Sequence, residues 1–173
     1  MDLSKEGKMN ELDAIQASLA SFTKRLDEVS NDRFNELRKC SFFDPIPSEW
    51  LKPVAEHSQI RTFSAGDRLT EEGDDMDAFY VILFGTATVY YSKKVVGTIR
   101  SGECIGEGMF FANENISRSA TVIADGQLIS AEIRKSGIDM LSGEAKAYMD
   151  KALLLALFKK LQGANRKIEE LLR

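Results

Sequence analysis

Apolar residues change their spacing twice along this chain of 173 residues, and each change predicts a different secondary structure. In the first part they recur every three or four positions, at Leu12, Ile15, Leu19, Phe22, Leu26 and Val29. This spacing predicts one long amphipathic helix over residues 9–39. From Gln59 to Ile133, short apolar runs alternate with polar residues between glycine- and aspartate-containing turns, which is typical of strands. The helical spacing returns at Leu154, Leu157, Leu161, Ala164, Ile168 and Leu171, and predicts a helix over Glu144–Arg173.

The β-region is introduced by a short helix and consists of short strands. Pro45 and Pro47 interrupt the first helical pattern, and Ser48 is the predicted N-cap of a helix over Glu49–His57. The main predicted strands are Arg68–Thr70, Ala78–Phe84, Thr86–Tyr91, Val95–Arg100, Ser119–Ala124 and Gln127–Ile133. A predicted short helical segment over Ser136–Leu141 and a predicted N-cap at Ser142 follow. Short strands with a turn about every eight to twelve residues predict a barrel or jelly-roll sandwich with flanking helices.

Both long helices carry apolar seams with heptad spacing, and each seam has two interpretations. One is a coiled coil with a second subunit, and the other is an amphipathic helix packed on its own domain. The seam of residues 9–39 covers nearly three heptads, which is marginal for a coiled coil alone. We favour dimerisation through the helices.

Composition and charge narrow the function classes. The net charge of −4 argues against a general nucleic-acid binder. Cys40 and Cys104 lie far apart with no metal-ligand spacing, and His57 is the one histidine, so we expect reduced thiols and no metal site. The longest apolar runs, Phe79–Phe84 and Ala152–Phe158, are much shorter than the ~20 residues of a membrane span. With a polar first segment and no signal peptide, the sequence predicts a cytoplasmic protein.

The candidate chemistry lies in one short stretch. A Gly106-Glu107-Gly108 turn follows a short apolar strand, and a small helical segment, Met109-Phe110-Phe111, is expected to open from it. Arg118 and Ser119 follow at the start of the next predicted strand. Backbone N–H groups at such a turn bind anions, a carboxylate accepts hydroxyl hydrogen bonds, and an arginine fork fits phosphate. This stretch therefore predicts a site for a small ligand with both hydroxyls and a phosphate.

These residues resemble the cyclic nucleotide-binding domain family, which includes the catabolite activator protein and the regulatory subunits of cyclic-AMP-dependent protein kinase. The resemblance covers about residues 40–165. Its frame is Phe63-Ser64-Ala65-Gly66-Asp67, Gly73-Asp74 with Asp77, Phe79-Tyr80-Val81-Ile82, Gly85 and Gly102. The phosphate-binding cassette of the family resembles Ile105-Gly106-Glu107-Gly108-Met109-Phe110 followed by Arg118-Ser119-Ala120-Thr121-Val122.

The resemblance implies a role for each cassette residue. Arg118 would clamp the cyclic phosphate, Glu107 would accept the ribose 2′-OH, and Gly106 would contact the sugar through its backbone. Backbone N–H groups around Gly108, Met109 and Ser119 would complete the anion site, with Ala120 beside them. A serine after the arginine is compatible with cyclic AMP, which we favour over cyclic GMP because the family more often uses threonine there for cyclic GMP.

Two departures from the family pattern affect the site. Gly108 replaces a usually apolar residue, and the segment Ala112–Ser117 is longer than is common. A longer loop either bulges outward, because loop closure depends weakly on length, or tilts Arg118 out of the pocket. The family caps the base with the helix after the barrel, which would fall within Asp150–Leu161 here. Leu154, Leu157 and Phe158 are candidates to cover the base, and Lys151 or Lys159 to hydrogen-bond it, unless the apolar ones form only the seam.

The apolar spacing and the resemblance together predict three regions: an N-terminal amphipathic helix (1–39), a cyclic nucleotide-binding β-roll with its leading helix (40–134), and a C-terminal lid and coiled-coil-like helix (135–173). No helix-turn-helix follows the strands, so we expect no DNA binding, and no catalytic constellation is present. The leading hypothesis is a non-enzymatic cyclic nucleotide sensor, dimeric through its helices, that moves its C-terminal helix and acts on an unknown effector protein. The alternative is an assembly module of the same fold with a non-binding pocket.

Overall fold

The computed structural model describes residues 31–75, 77–110 and 117–172. The predicted seam from Leu12 to Val29 lies outside the described residues and stays a prediction. In the described part of the chain, eight strands form two four-stranded antiparallel sheets. They are β1 Ser58–Phe63, β2 Arg68–Thr70, β3 Ala78–Phe84, β4 Thr86–Tyr91, β5 Lys94–Arg100, β6 Cys104–Ile105, β7 Thr121–Ala124 and β8 Leu128–Arg134. The predicted mainly β fold with flanking helices, a β-roll, is confirmed.

The sheet order explains why β3 is apolar on both faces. The first sheet has the order β1-β8-β3-β6 and the second the order β2-β7-β4-β5. Ile82 packs with the second sheet in one core cluster, whereas Phe79 and Val81 pack against the helices in another. Because both faces of β3 are covered, its sequence lacks the strict alternation of a half-buried strand.

Four α-helices flank the strands in the part of the chain that the structure describes. Residues 31–38 are helical (α1), and α2 Ser48–Glu56, α3 Lys135–Asp139 and α4 Gly143–Leu171 follow. Ser48 is not the N-cap of α2, because the backbone N–H groups of Trp50 and Leu51 already bond to the carbonyl of Pro47. The N-cap of α4 is Ser142, as predicted, and its hydroxyl accepts a hydrogen bond from the Ala145 N–H at 3.2 Å.

The α4 helix has two halves with different surroundings. Residues 143–153 form the anchor half, whose buried side chains join the helix-facing core cluster at Ala145, Met149, Ala152 and Leu153. Residues 154–171 form the distal half, with exposed apolar side chains at Leu154, Leu155, Phe158, Leu161, Ile168 and Leu171. Among the described residues, no helix is both long and apolar enough to cross a bilayer.

The predicted strand Ser119–Ala124 begins two residues later than expected, at Thr121. The chain does not join the sheet at Ser119, because the backbone of the preceding residue, Arg118, is hydrogen-bonded to the turn at Gly73 and Asp74. Ser119 and Ala120 are therefore left outside the strand, where they line a cavity.

Candidate functional site

A cavity of about 370 Å³ opens beside the turn after β6. It is lined by six of the seven predicted site residues, namely Gly106, Glu107, Gly108, Arg118, Ser119 and Ala120. The seventh, Met109, belongs to the 3-10 turn Glu107–Phe110, whose first two residues line the cavity. The volume falls in the range of about 300–1,000 Å³ that is usual for small-molecule sites.

The turn after β6 can be made only with glycine at its start. Gly106 has φ +83°, a left-handed conformation that side chains disfavour. A Cβ there would also lie 3.0 Å from the Ala78 carbonyl and collide with Nη1 of Arg118. The helical segment begins at Glu107, two residues before the predicted Met109. Its end is fixed by Phe110, whose ring packs edge-on against Phe79 at 5.0 Å between centroids.

Arg118 is held at the cavity by its backbone. Its N–H donates to the carbonyl of Asp74 at 2.7 Å, and its carbonyl accepts from the N–H of Gly73 at 2.9 Å. Ser117 and Asp75 form an isolated antiparallel bridge next to these bonds. The longer segment predicted at 112–117 lies, up to residue 116, outside the described residues, and Arg118 itself lines the cavity. The backbone bonds to the turn at Gly73 and Asp74 hold Arg118 at this place.

The guanidinium of Arg118 is buried and poised for an anion. The residue is 7% exposed, and its Nη1 has no hydrogen-bond partner among the described residues. Its Cζ lies 5.6 Å from the centroid of the Tyr80 ring. Burial lowers the pKa of Arg118, and the neighbouring Tyr80, Asp77, Asp74 and Glu132 oppose that shift. A buried donor without an acceptor costs about 1–3 kcal/mol, so an anionic ligand would relieve that cost.

Glu107 is the carboxylate of the cavity, and it is already paired. Its Oε1 accepts a hydrogen bond from Nζ of Lys160 at 2.5 Å. Lys160 belongs to the distal half of α4 and also lines the cavity. Farther along the same helix, Lys167 approaches Gly97 on β5. The α4 helix therefore reaches the cavity with a basic side chain.

The remaining cavity wall is mostly apolar. It is formed by Val89 on β4, Ile99 on β5, Ile105 on β6 and Val122 on β7, with Thr70 on β2. Cys104 lies next to this wall, and burial raises its pKa to about 12, so it is an un-ionised thiol at neutral pH. Cys40 and Cys104 are both buried free thiols, in agreement with the sequence prediction.

Residues 60–144 match the family model described as cyclic nucleotide-binding domain. This region is a cyclic nucleotide-binding domain. The chain is 28% identical over 149 residues to a cGMP-dependent protein kinase of Plasmodium berghei, covering 84% of this chain and 17% of that kinase. It thus spans about a sixth of the length of that curated relative.

Solved structures share the fold of this cyclic nucleotide-binding domain. A cyclic nucleotide-binding domain from Methylobacillus flagellatus superposes with a TM-score of 0.68 at 19% identity, covering 83% of this chain and 84% of that one. The cAMP-bound structure of PfPKA-R superposes with a TM-score of 0.65 at 18% identity, covering 85% of this chain and 49% of that one. At these identities the likeness establishes the fold alone.

Lys160 was not predicted from the sequence, and Lys151 and Lys159 on the same helix were named instead. Lys151 and Lys159 are exposed, and like Leu154, Leu157 and Phe158 they do not line the cavity of the cyclic nucleotide-binding domain. The signal for Lys160 was its position seven residues after Leu153. Residues at that separation share a helix face, so the face that buries Leu153 presents Lys160 to the cavity.

Proposed function

We propose that this cyclic nucleotide-binding domain is a non-enzymatic sensor of a cyclic nucleotide. The observation that carries the proposal is the convergence of Arg118, Glu107 and the Gly106–Gly108 turn on one cavity. A cyclic phosphodiester has one negative charge, and a buried guanidinium can bind it with two parallel hydrogen bonds at fixed geometry. Glu107 offers the acceptor that a ribose 2′-hydroxyl needs, and the apolar wall suits the flat face of a base.

We propose cyclic AMP as the preferred nucleotide. Ser119 lines the cavity next to Arg118, and serine rather than threonine at this position supports cyclic AMP by family resemblance. The similar proteins are associated with different nucleotides, since the Plasmodium berghei relative is a cGMP-dependent kinase and PfPKA-R is bound to cAMP. Both nucleotides therefore belong in the test.

We further propose that the ligand acts through α4. Lys160 already binds Oε1 of the carboxylate that the 2′-hydroxyl would share, so a bound nucleotide would compete with Lys160 and weaken its hold on Glu107. The exposed seam of the distal half would then change its contacts with a second copy of the chain or with an effector protein. Such coupling requires that the ligand binds the two arrangements of α4 unequally.

Calorimetric titration of the purified protein with cyclic AMP and cyclic GMP tests the proposal. We expect micromolar or tighter binding of cyclic AMP, weaker binding of cyclic GMP, and a loss of about ten- to a hundred-fold in Arg118→Ala, the usual effect of removing a charged hydrogen bond. Arg100→Ala, which removes an exposed arginine outside the cavity, should bind as the wild type does. Absence of heat and of any thermal shift with both nucleotides would overturn the proposal.

The second candidate is an assembly module whose pocket binds no nucleotide. Two observations favour it, namely the occupied carboxylate of Glu107 and the exposed apolar seam of the distal half. In that case the oligomeric state would fall with Leu161→Glu and would not respond to either nucleotide. Sedimentation with and without ligand separates the two candidates.

A further inference from the structure

We propose that Tyr80 is a positioning residue for Arg118: its ring holds the plane of the guanidinium in the empty cavity, so that the N–H donors stay free for phosphate. This inference rests on the proposed function, because it concerns how the phosphate-binding arginine is prepared. Its test includes a measurement on the ligand-free protein.

The fold presents the Tyr80 ring to the arginine from the central part of the first sheet. Tyr80 lies directly opposite Ile105 on β6 and directly opposite Glu132 on β8. Directly opposed residues of neighbouring strands have their side chains on the same face of a sheet. Tyr80 and Ile105 both pack in the core cluster between the two sheets, and Ile105 also lines the cavity. The Tyr80 ring therefore lies on the same face of the first sheet as Ile105, a residue of the cavity wall, and it reaches Arg118 from that face.

The ring is the contact that orients Arg118 while its charge stays unpaired. The backbone bonds to Gly73 and Asp74 fix where the side chain starts but not how its plane lies. The Cζ of Arg118 stands 5.6 Å from the ring centroid, within the reach of a cation–π interaction. Nη1 has no hydrogen-bond partner among the described residues, so that donor remains available.

A carboxylate in the place of the ring would hold the guanidinium but would also neutralise it. The buried carboxylate on the neighbouring strand, Glu132, is committed elsewhere. Its Oε1 lies 2.6 Å from Nη2 of Arg134, and its Oε2 lies 3.4 Å from Nε of Arg61. Glu132 thus forms its ion pairs with two other arginines, and it acts on Arg118 through its charge and not through a contact among the described residues. The Tyr80 ring is the contact that Arg118 has on this face of the sheet. An aromatic face attracts a guanidinium without using its in-plane donors, which is the property a phosphate site needs.

The test compares Tyr80→Leu with Tyr80→Phe, which keeps the ring. Phe63→Leu is the matched control, because it removes an aromatic side chain from the same core cluster away from Arg118. We expect Tyr80→Leu to bind cyclic AMP about 30-fold more weakly, and Tyr80→Phe to stay within about three-fold of the wild type. The preference between the two phosphorothioate diastereomers of cyclic AMP should shrink in Tyr80→Leu alone, since that preference reports the orientation of the guanidinium.

A second readout uses the protein without nucleotide. The Nε–Hε resonance of Arg118, assigned with Arg118→Lys, should move in Tyr80→Leu through loss of the ring current, and stay near its place in Tyr80→Phe and Phe63→Leu. An unmoved resonance in Tyr80→Leu, or equal weakening of binding by Tyr80→Leu and Phe63→Leu, would overturn the inference. If the wild type binds neither nucleotide, the proposed function fails, and the resonance still decides whether Tyr80 holds Arg118.

Discussion

The cavity has two walls that are built in different ways. On the β-roll side, Gly106 and Arg118 are fixed by backbone geometry, by two backbone hydrogen bonds and by burial. On the α4 side, the packed anchor half positions the helix, and one ion pair between Lys160 and Glu107 joins the distal half to the cavity, with side chains 31% and 13% exposed. The first wall is prepared before any ligand arrives, whereas the second can be released at small cost. The proposed sensor function needs both properties, because affinity comes from preorganisation and response comes from a weakly held element.

The largest expected effect comes from breaking the anchor half of α4, on which the second wall depends. Leu153 is fully buried in the helix-facing core, so Leu153→Ala should lower the free energy of unfolding by about 2–5 kcal/mol. Leu161→Ala, at a side chain that is 58% exposed in the distal half, should change it by less than about 0.5 kcal/mol. Urea denaturation of both variants measures the difference, and equal effects would contradict the division of α4 into two halves.

The second largest effect is expected from a substitution of Gly106 in the first wall, and it concerns nucleotide binding. Gly106→Ala forces an unfavourable backbone conformation and drives a methyl group into Arg118 and the Ala78 carbonyl. We expect cyclic AMP binding to weaken by about a hundred-fold or more, since backbone strain of ~1–3 kcal/mol adds to displacement of the guanidinium. Gly126→Ala is the control, because a Cβ there meets nothing within 4 Å. Equal cyclic AMP affinities of the two variants, measured by calorimetric titration, would show that the conformation of Gly106 is not needed for binding.

The two walls also differ in how far the sequence predicts them. The β-roll wall follows from local signals, since Gly106, Glu107 and Arg118 stand in one recognisable stretch between predicted strands, and all three line the cavity. The hold on Arg118 was not predictable from that stretch alone, because the backbone of Arg118 bonds to Gly73 and Asp74, more than forty positions earlier. That long-range pairing also moved the start of β7 from Ser119 to Thr121.

The α4 wall was harder to predict because it depends on helix phase. The apolar seam drew attention to Leu154, Leu157 and Phe158, whereas the packed face of the anchor half runs through Met149 and Leu153. Only the packing of that half on the core decides that Lys160 meets Glu107. The contact of Tyr80 with Arg118 was equally unpredictable, because Tyr80 lies in an apolar strand sequence where an aromatic residue is common in the core.

A smaller effect, on the free energy of unfolding, is expected from removing the N-cap of α4. The hydroxyl of Ser142 accepts the Ala145 N–H at 3.2 Å and satisfies one donor of the first turn. Ser142→Ala should lower the free energy of unfolding by about 1 kcal/mol, the usual cost of losing an N-cap. Ser136→Ala, at an exposed serine of α3, is the comparison. Thermal and urea unfolding measure both, and an unchanged Ser142→Ala would mean that packing alone fixes where α4 starts.

The smallest effect on stability, and the sharpest test of the second wall, is expected for Lys160→Met. Methionine keeps an apolar side chain over the cavity and removes the charge, and a partly exposed ion pair contributes about 0–1 kcal/mol. We expect faster amide hydrogen exchange in the distal half of α4, with the anchor half unchanged, because the ion pair restrains the distal half alone. Lys159→Met, at the exposed neighbouring position, should leave the exchange pattern as it is.

Lys160→Met should also change nucleotide affinity. Without Lys160, Glu107 should accept the ribose hydroxyl more readily, and cyclic AMP affinity should rise by about two- to three-fold, which corresponds to ~0.5 kcal/mol. A fall in affinity would mean that Lys160 holds Glu107 in place for the ligand, in which case the helix and the nucleotide cooperate at that carboxylate instead of competing for it.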